Sequence, residues 1–193
     1  MERNNVMYRT MQSVLTTRDG ETNEAPVIEG YFAVFDSNYD MGYGMSESVA
    51  PGAFSETLAG DVRALIDHDT RLVLGRTTAH TLELREDSHG LWGKIYINPK
   101  DSEAMNLYER VKRGDVSQCS FGFEILSEET TFPAEGKVHW RITKAKLYEV
   151  SCCTYPAYEE TGISARKKDL EQIEKRKSEA WKSTLLKKLK GEK

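Results

Sequence analysis

Gln118-Cys119-Ser120-Phe121-Gly122-Phe123-Glu124-Ile125-Leu126 is the stretch on which the reading of this chain turns. Side chains of an extended strand alternate between faces, so Cys119, Phe121, Phe123 and Ile125 share one side and Ser120, Gly122 and Glu124 the other. The apolar set belongs in a core, which turns Ser120 outward. Gly122, two residues on, leaves room beside the hydroxyl for an extended substrate. Cys119 is intrinsically the better nucleophile, but the same parity faces it inward.

A serine hydroxyl is almost un-ionised at neutral pH and needs a base within hydrogen-bond reach, which a neutral imidazole supplies. His68, in Ile66-Asp67-His68-Asp69, is the candidate base. A carboxylate on its other ring nitrogen would fix the tautomer and stabilise the imidazolium formed as Ser120 attacks. Glu149, in Tyr148-Glu149-Val150-Ser151, can do so if its strand lies beside those of His68 and Ser120. Asp67 and Asp69 are chain neighbours of His68 and are less well placed to bond its ring. The residue types alone are weak evidence, because a Ser-His-acid set lacks the local signature of a G-x-S-x-G elbow.

Composition narrows the setting. The chain has 193 residues, 38% of them hydrophobic, enough for one cored domain with a tail. No run approaches the roughly 18 apolar residues of a membrane span, and Met1-Glu2-Arg3-Asn4-Asn5 does not begin a secretory signal, so a soluble, intracellular protein is expected. Three cysteines, two of them adjacent at Cys152 and Cys153, make no disulfide framework and are read as reduced thiols. No helical His pair or Cys/His cluster supports a metal site at His68, Asp69, His80 and His89, and no cofactor is expected.

Residues 1–27 are polar and are read as a flexible N-terminal arm, with the compact domain spanning 28–164. Segments such as Gly30–Phe35, Val62–Ile66, Thr81–Leu84 and Leu91–Ile97 are short, β-branched or aromatic, and bounded by turn residues. They read as strands of a mainly antiparallel sheet or barrel. One helix interrupts them: Asp101 or Ser102 caps it, Ala104, Leu107, Tyr108 and Val111 form its apolar stripe, and Gly114 ends it. Pro51-Gly52-Ala53-Phe54 is read as the start of a short helix burying Phe54, and Val138–Thr154 as two strands or one bent one. Residues 165–193 carry eleven Lys/Arg against five Asp/Glu, although the whole chain has a formal charge of −4. Leu170, Ile173, Trp181, Leu185 and Leu189 lie near one helical stripe there, giving a basic amphipathic helical tail. The acidic body and the near absence of interleaved aromatics argue against nucleic acid as its partner.

Several of these blocks, in this order, resemble the HK97-type prohead proteases of tailed bacteriophages. They are Gly30–Phe35; Glu47 with Pro51-Gly52-Ala53-Phe54; His68-Asp69 followed by Leu74-Gly75-Arg76; Gly90-Leu91; Val111-Lys112-Arg113-Gly114; Ser120-Phe121-Gly122-Phe123; and Glu149-Val150-Ser151 closing on Pro156-Ala157-Tyr158. The resemblance runs from about Gly30 to Tyr158. It implies an α+β, mainly β fold: a herpesvirus-protease-like antiparallel β-barrel with flanking helices, followed here by the basic tail. It also implies a serine endopeptidase whose His, Ser and acidic positions fall on His68, Ser120 and Glu149. Assemblins use a second histidine as third member, for which His139 is the local alternative; Glu149 is preferred because it lies in the matching block. Arg76 is a loose candidate for assisting the oxyanion.

The function implied is cleavage of scaffold and capsid-protein extensions, and of the protease itself, during procapsid maturation in the host bacterial cytoplasm, inside the assembling shell. Major capsid protein and scaffold are the implied partners, homodimerisation as in assemblins is left open, and no membrane is involved. The tail would dock the protease within the shell. The competing reading is a non-catalytic assembly factor that binds scaffold through a protease-like barrel; its cheapest signature would be loss of Ser120, His68 or Glu149, all of which are present. An esterase or amidase acting on small molecules is a third reading.

Overall fold

The computed structural model describes residues 6–12, 15–19 and 25–155, together with Arg166, Glu171, Gln172, Lys175, Ser178, Glu179 and Lys182. The chain divides into two compact units, Met1–Glu159 and Glu160–Lys193. The first holds strands β1 (Met7–Gln12), β2 (Thr16–Arg18), β3 (Val27–Val34), β4 (Tyr39–Gly42), β5 (Met45–Val49), β6 (Arg63–Ile66), β7 (Asp69–Arg76), β8 (Leu82–Glu86) and β9 (Gly90–Tyr96), then helix α1 (Ser102–Arg113), β10 (Gln118–Thr131) and β11 (Val138–Cys153). The seven described residues of the second unit are helical. The expected apolar stripe of the tail, Leu170, Ile173, Trp181, Leu185 and Leu189, lies outside the described residues.

The strands form two sheets and not a closed barrel. β2, β3, β9 and β8 make a four-stranded antiparallel sheet; the other seven make a sheet built on the long hairpin of β10 and β11. Most pairings are antiparallel, but β11 runs parallel to β5 and then to β6. The described fold is thus mainly β with one α-helix in the first unit. Ile28, Phe32, Leu91 and Ile95 of the smaller sheet share one core with Cys119, Phe121, Phe123 and Val150 of the larger. Helix α1 contributes Ala104, Leu107, Tyr108 and Val111 to that core. Its boundaries follow its caps: the Asp101 carboxylate accepts from the amides of Glu103 and Ala104, and Gly114 closes the C-terminus at φ 84°.

Two expectations change and a third is narrowed. Residues ahead of Ile28 are not simply an arm, since β1 pairs with β10 and β2 with β3. Their polar sequence suits strands that lie at sheet edges, where one row of backbone groups and half the side chains face outward. Of the two forms expected for Val138–Thr154, the structure has the single strand, Val138–Cys153, of 16 residues. Pro51–Gly60 forms a succession of turns and not a helix. Its polar groups serve the edge of β11 between β5 and β6: the Ala145 amide donates to Ala53 O at 2.8 Å, the Thr57 hydroxyl donates to Ala145 O at 3.1 Å, and the Leu147 amide reaches Thr57 Oγ1 at 3.3 Å. A regular helix would have consumed those backbone groups within itself. Phe54 is nevertheless fully buried, as its apolarity requires.

Candidate active site

The register of the larger sheet brings the three predicted side chains toward one face. Ser120 on β10 lies opposite Ser151 on β11, and Gly122 opposite Glu149. On the far side of β11, Ser151 pairs with Leu65 and Cys152 with Ile66 of β6, so the β6–β7 turn begins just past Cys152. That turn is the two-residue hairpin loop Asp67-His68, with both residues at positive φ, 47° and 62°. Such left-handed pairs match the twist of a tight hairpin, and Asp tolerates them through local hydrogen bonding. The Asp67 amide donates to Cys152 O at 3.1 Å, and its carboxylate accepts from the Thr154 amide at 2.8 Å and the Thr154 hydroxyl at 3.2 Å. The turn is therefore tied to the end of β11 from both sides.

His68 is thereby held over β11. Its Nδ1 lies 2.7 Å from Glu149 Oε1, and its backbone amide donates to Ser151 Oγ at 3.2 Å. The Ser151 hydroxyl in turn donates to Glu149 Oε2 at 2.5 Å, so both carboxylate oxygens are engaged. A carboxylate on Nδ1 favours the tautomer with a proton there and leaves Nε2 as the basic nitrogen. The Tyr8 ring of β1 packs against the imidazole, with centroids 4.4 Å apart.

Gly122 makes this arrangement sterically feasible. A Cβ at that position would stand 2.5 Å from Glu149 Oε1 and 3.0 Å from Tyr8 Cε1. The space that sequence reasoning reserved for substrate is thus occupied by the carboxylate and by Tyr8. The outward exposure expected for Ser120 is likewise corrected. The parity holds, with Cys119, Phe121 and Phe123 in the core, but Ser120 is fully buried. Its hydroxyl donates to the backbone carbonyl of Arg9 on β1 at 2.9 Å. The reason is that β1 pairs along β10, with Thr10 opposite Ser120, and covers the edge on which the hydroxyl would otherwise open.

His68 Nε2 faces Cys153, whose Sγ lies at 3.8 Å. Burial pushes the Cys153 thiol well above its ordinary range, and the negative charge of Asp67 adds to that. Cys153 is therefore a neutral thiol in this state. Burial raises the Cys152 thiol in the same way, and all three cysteines are free and buried. His139 is held elsewhere: Nδ1 lies 2.8 Å from Ser46 Oγ and Nε2 2.9 Å from Ser48 Oγ, both on β5. Arg76 is occupied by Asp61, with bonds of 2.6 and 2.7 Å that hold that carboxyl down at about 2. His80 and His89 are exposed, and no cluster of potential metal ligands occurs among the described residues.

Sequence reasoning missed Ser151, Tyr8 and Gln118. Ser151 could have been found by parity, since it follows Glu149 by two residues on one strand face. Gln118 shares the Ser120 face by the same count, and its side-chain oxygen is buried without a hydrogen-bond partner among the described residues. Tyr8 carried no local signal, because its place depends on β1 docking against a strand more than a hundred residues away.

Comparison with known proteins agrees with this architecture. A solved structure of the capsid assembly protease of bacteriophage T4 superimposes with a TM-score of 0.52 at 11% identity, over 77% of this chain and 97% of that one. That likeness concerns the fold alone. The prohead protease of Enterobacteria phage HK97 is 32% identical over 155 residues, covering 78% of this chain and 63% of the relative. The chain thus spans less than two thirds of that relative's length. The family model described as Caudovirus prohead serine protease matches residues 13–176, the span that contains the Ser120, His68 and Glu149 face, and the chain belongs to that family.

Proposed function

We propose that this chain is a serine endopeptidase in which Ser120 is the nucleophile, His68 the general base and Glu149 the group that orients His68. The observation that carries the reading is the Glu149–His68 pair at 2.7 Å, braced through Ser151 on the strand face that Ser120 shares. In the reaction, Ser120 Oγ attacks the carbonyl carbon of the scissile bond while its proton passes to His68 Nε2. The tetrahedral intermediate collapses, the C–N bond breaks, and the leaving amine takes that proton. Water, deprotonated by the same nitrogen, then attacks the acyl-enzyme and regenerates Ser120.

For that sequence the hydroxyl has to exchange Arg9 O for His68 Nε2, so on this reading the parts await a rearrangement before catalysis. A competing assignment is Cys153, whose Sγ lies 3.8 Å from Nε2. Its burial works against it, because the thiolate is the reactive form and desolvation disfavours it.

The substrates that fit the family are scaffold and capsid-protein extensions, with self-cleavage, inside an assembling procapsid in the host. Capsid protein and scaffold would be the partners, with the basic tail as the docking element that is later trimmed. No helix among the described residues is long and apolar enough to cross a membrane. The test is intact-mass analysis after co-expression with the cognate capsid and scaffold proteins. Wild type should yield cleaved products and a shortened tail, and Ser120→Ala neither. Equal cleavage by both forms would overturn the Ser120 assignment; no cleavage by either within assembled shells would favour the assembly-factor reading.

A further inference from the structure

β10 has two edges, and β11 occupies one along its whole length. A peptide whose carbonyl is to reach Ser120 in extended form therefore has the other edge, which β1 now fills. β1 lies there as an added strand would, antiparallel and in register from Met7 opposite Phe123 to Gln12 opposite Gln118. Arg9 is the residue whose carbonyl meets the Ser120 hydroxyl. The contact is to the carbonyl oxygen, with the hydroxyl proton spent on it, so β1 blocks the nucleophile and does not present it with a bond to attack.

The Arg9 side chain leaves β1 on the opposite face and is buried there. Its Nε lies 2.6 Å from Glu47 Oε1 and its Nη2 3.1 Å from Glu47 Oε2, a two-point grip on a buried carboxylate. The guanidinium carbon stands 5.8 Å from the Phe123 ring centre and 6.0 Å from that of Tyr39. A buried carboxylate flanked by two aromatic faces is a geometry that selects a planar cation. The main-chain atom facing the nucleophile and the side chain held there belong to one residue.

We propose that Glu47, with Phe123 and Tyr39, is a specificity pocket for arginine or lysine at the residue preceding the scissile bond, and that β1 is its occupant in cis, a strap that incoming peptide must displace. This rests on Ser120 being the nucleophile. A peptide competes with a tethered strand of high effective concentration, so the intact chain turns over slowly on short peptides. Confinement with densely packed extensions would shift that competition.

The experiment uses the full chain and internally quenched peptides differing only at the residue before the cut: Arg, Lys, Gln, Leu, Asp or Glu. Labelling by a fluorophosphonate, read by mass at Ser120, runs in parallel. Arg9→Met should speed cleavage of Arg and Lys peptides, with a preference of about tenfold or more over Gln and Leu. Glu47→Gln should reduce that preference severalfold. Because a lone change at a buried pair can unfold the chain, the decisive variant is the charge-swapped Arg9→Glu/Glu47→Arg, which keeps the pair and should move the preference to Asp and Glu peptides. Ser120 labelled in the wild type, together with no basic preference, an unswapped preference or no peptide cleavage at all, overturns the pocket. Absence of Ser120 labelling in wild type, Arg9→Met and the swapped variant alike would instead sink the serine reading itself.

Discussion

Glu149 acts at the residue scale through both of its oxygens, one on the imidazole and one on Ser151, and Gly122 is the residue that leaves room for it. Glu149→Gln should keep the fold but lower kcat by about a hundredfold or more, since the amide can present a donor to Nδ1 and favour the wrong tautomer. Gly122→Ala forces the carboxylate aside, so its kcat should fall toward that of Glu149→Gln. The double variant should lose little more than either single one, because both act on one contact. Additive losses in steady-state kinetics would show that Gly122 matters for another reason. The thiols give a separate test. Burial raises the Cys152 and Cys153 thiols above the usual 9.0, so the native state binds their protons more tightly than the unfolded chain does. Their contribution to stability is thus complete below about pH 9 and is lost as pH rises beyond it, which a series of thermal melts would display as a falling Tm. Alkylation with iodoacetamide at pH 8 should accordingly be slow in the native chain and fast in urea. Rapid, His68-dependent alkylation of Cys153 in the native chain would move the nucleophile from Ser120 to that thiol.

At the scale of elements, the β6–β7 turn is what holds His68 against Glu149 and Ser151, the position the proposed general base requires. Asp67→Ala removes the acceptor for two bonds from Thr154 and places a residue without local hydrogen bonding at φ 47°. A loss of about 1–3 kcal/mol in urea unfolding is expected, with a fall in kcat larger than stability alone explains. Unchanged kcat in the folded variant would mean that Glu149 and Ser151 suffice to position the ring. Much of this element-level design was legible in the chain. The 119/121/123 parity, the α1 stripe and its Asp101 and Gly114 caps are signals carried within a dozen residues, and each is where local rules put it. What escaped depended on distant pairing. Met7-Tyr8-Arg9-Thr10 has no pattern that marks it as a strand until the β10 edge supplies its partners, so neither the burial of Ser120 nor the Arg9–Glu47 pair could be foreseen. Pro51–Gly60 failed for the related reason that its polar groups serve β11. The division of β11's edge among β5, these turns and β6 likewise replaced the expected barrel with two sheets.

On the scale of the whole molecule, charge and location are opposed. Residues 165–193 are strongly basic while the chain as a whole is acidic, and residues 160–193 form the second of two compact units. On the proposed function, a protease with a covered nucleophile gains by being inert until it is concentrated among its substrates, and a basic segment can concentrate it by charge. Such attraction is long-ranged and screened over about 8 Å at physiological salt, so it should depend on charge number more than on any one contact. Replacing Lys175, Arg176 and Lys177 together by Gln leaves the helical propensity of the segment nearly intact while removing three of its eleven cations. Purified procapsids assembled with this variant, in the Ser120→Ala background so that nothing is trimmed, should contain severalfold less protease per shell than those with the unmodified tail. The deficit should grow when assembly is carried out at higher salt. Equal protease content per shell, measured by quantitative mass spectrometry, would separate the tail from packaging and leave docking to the acidic domain.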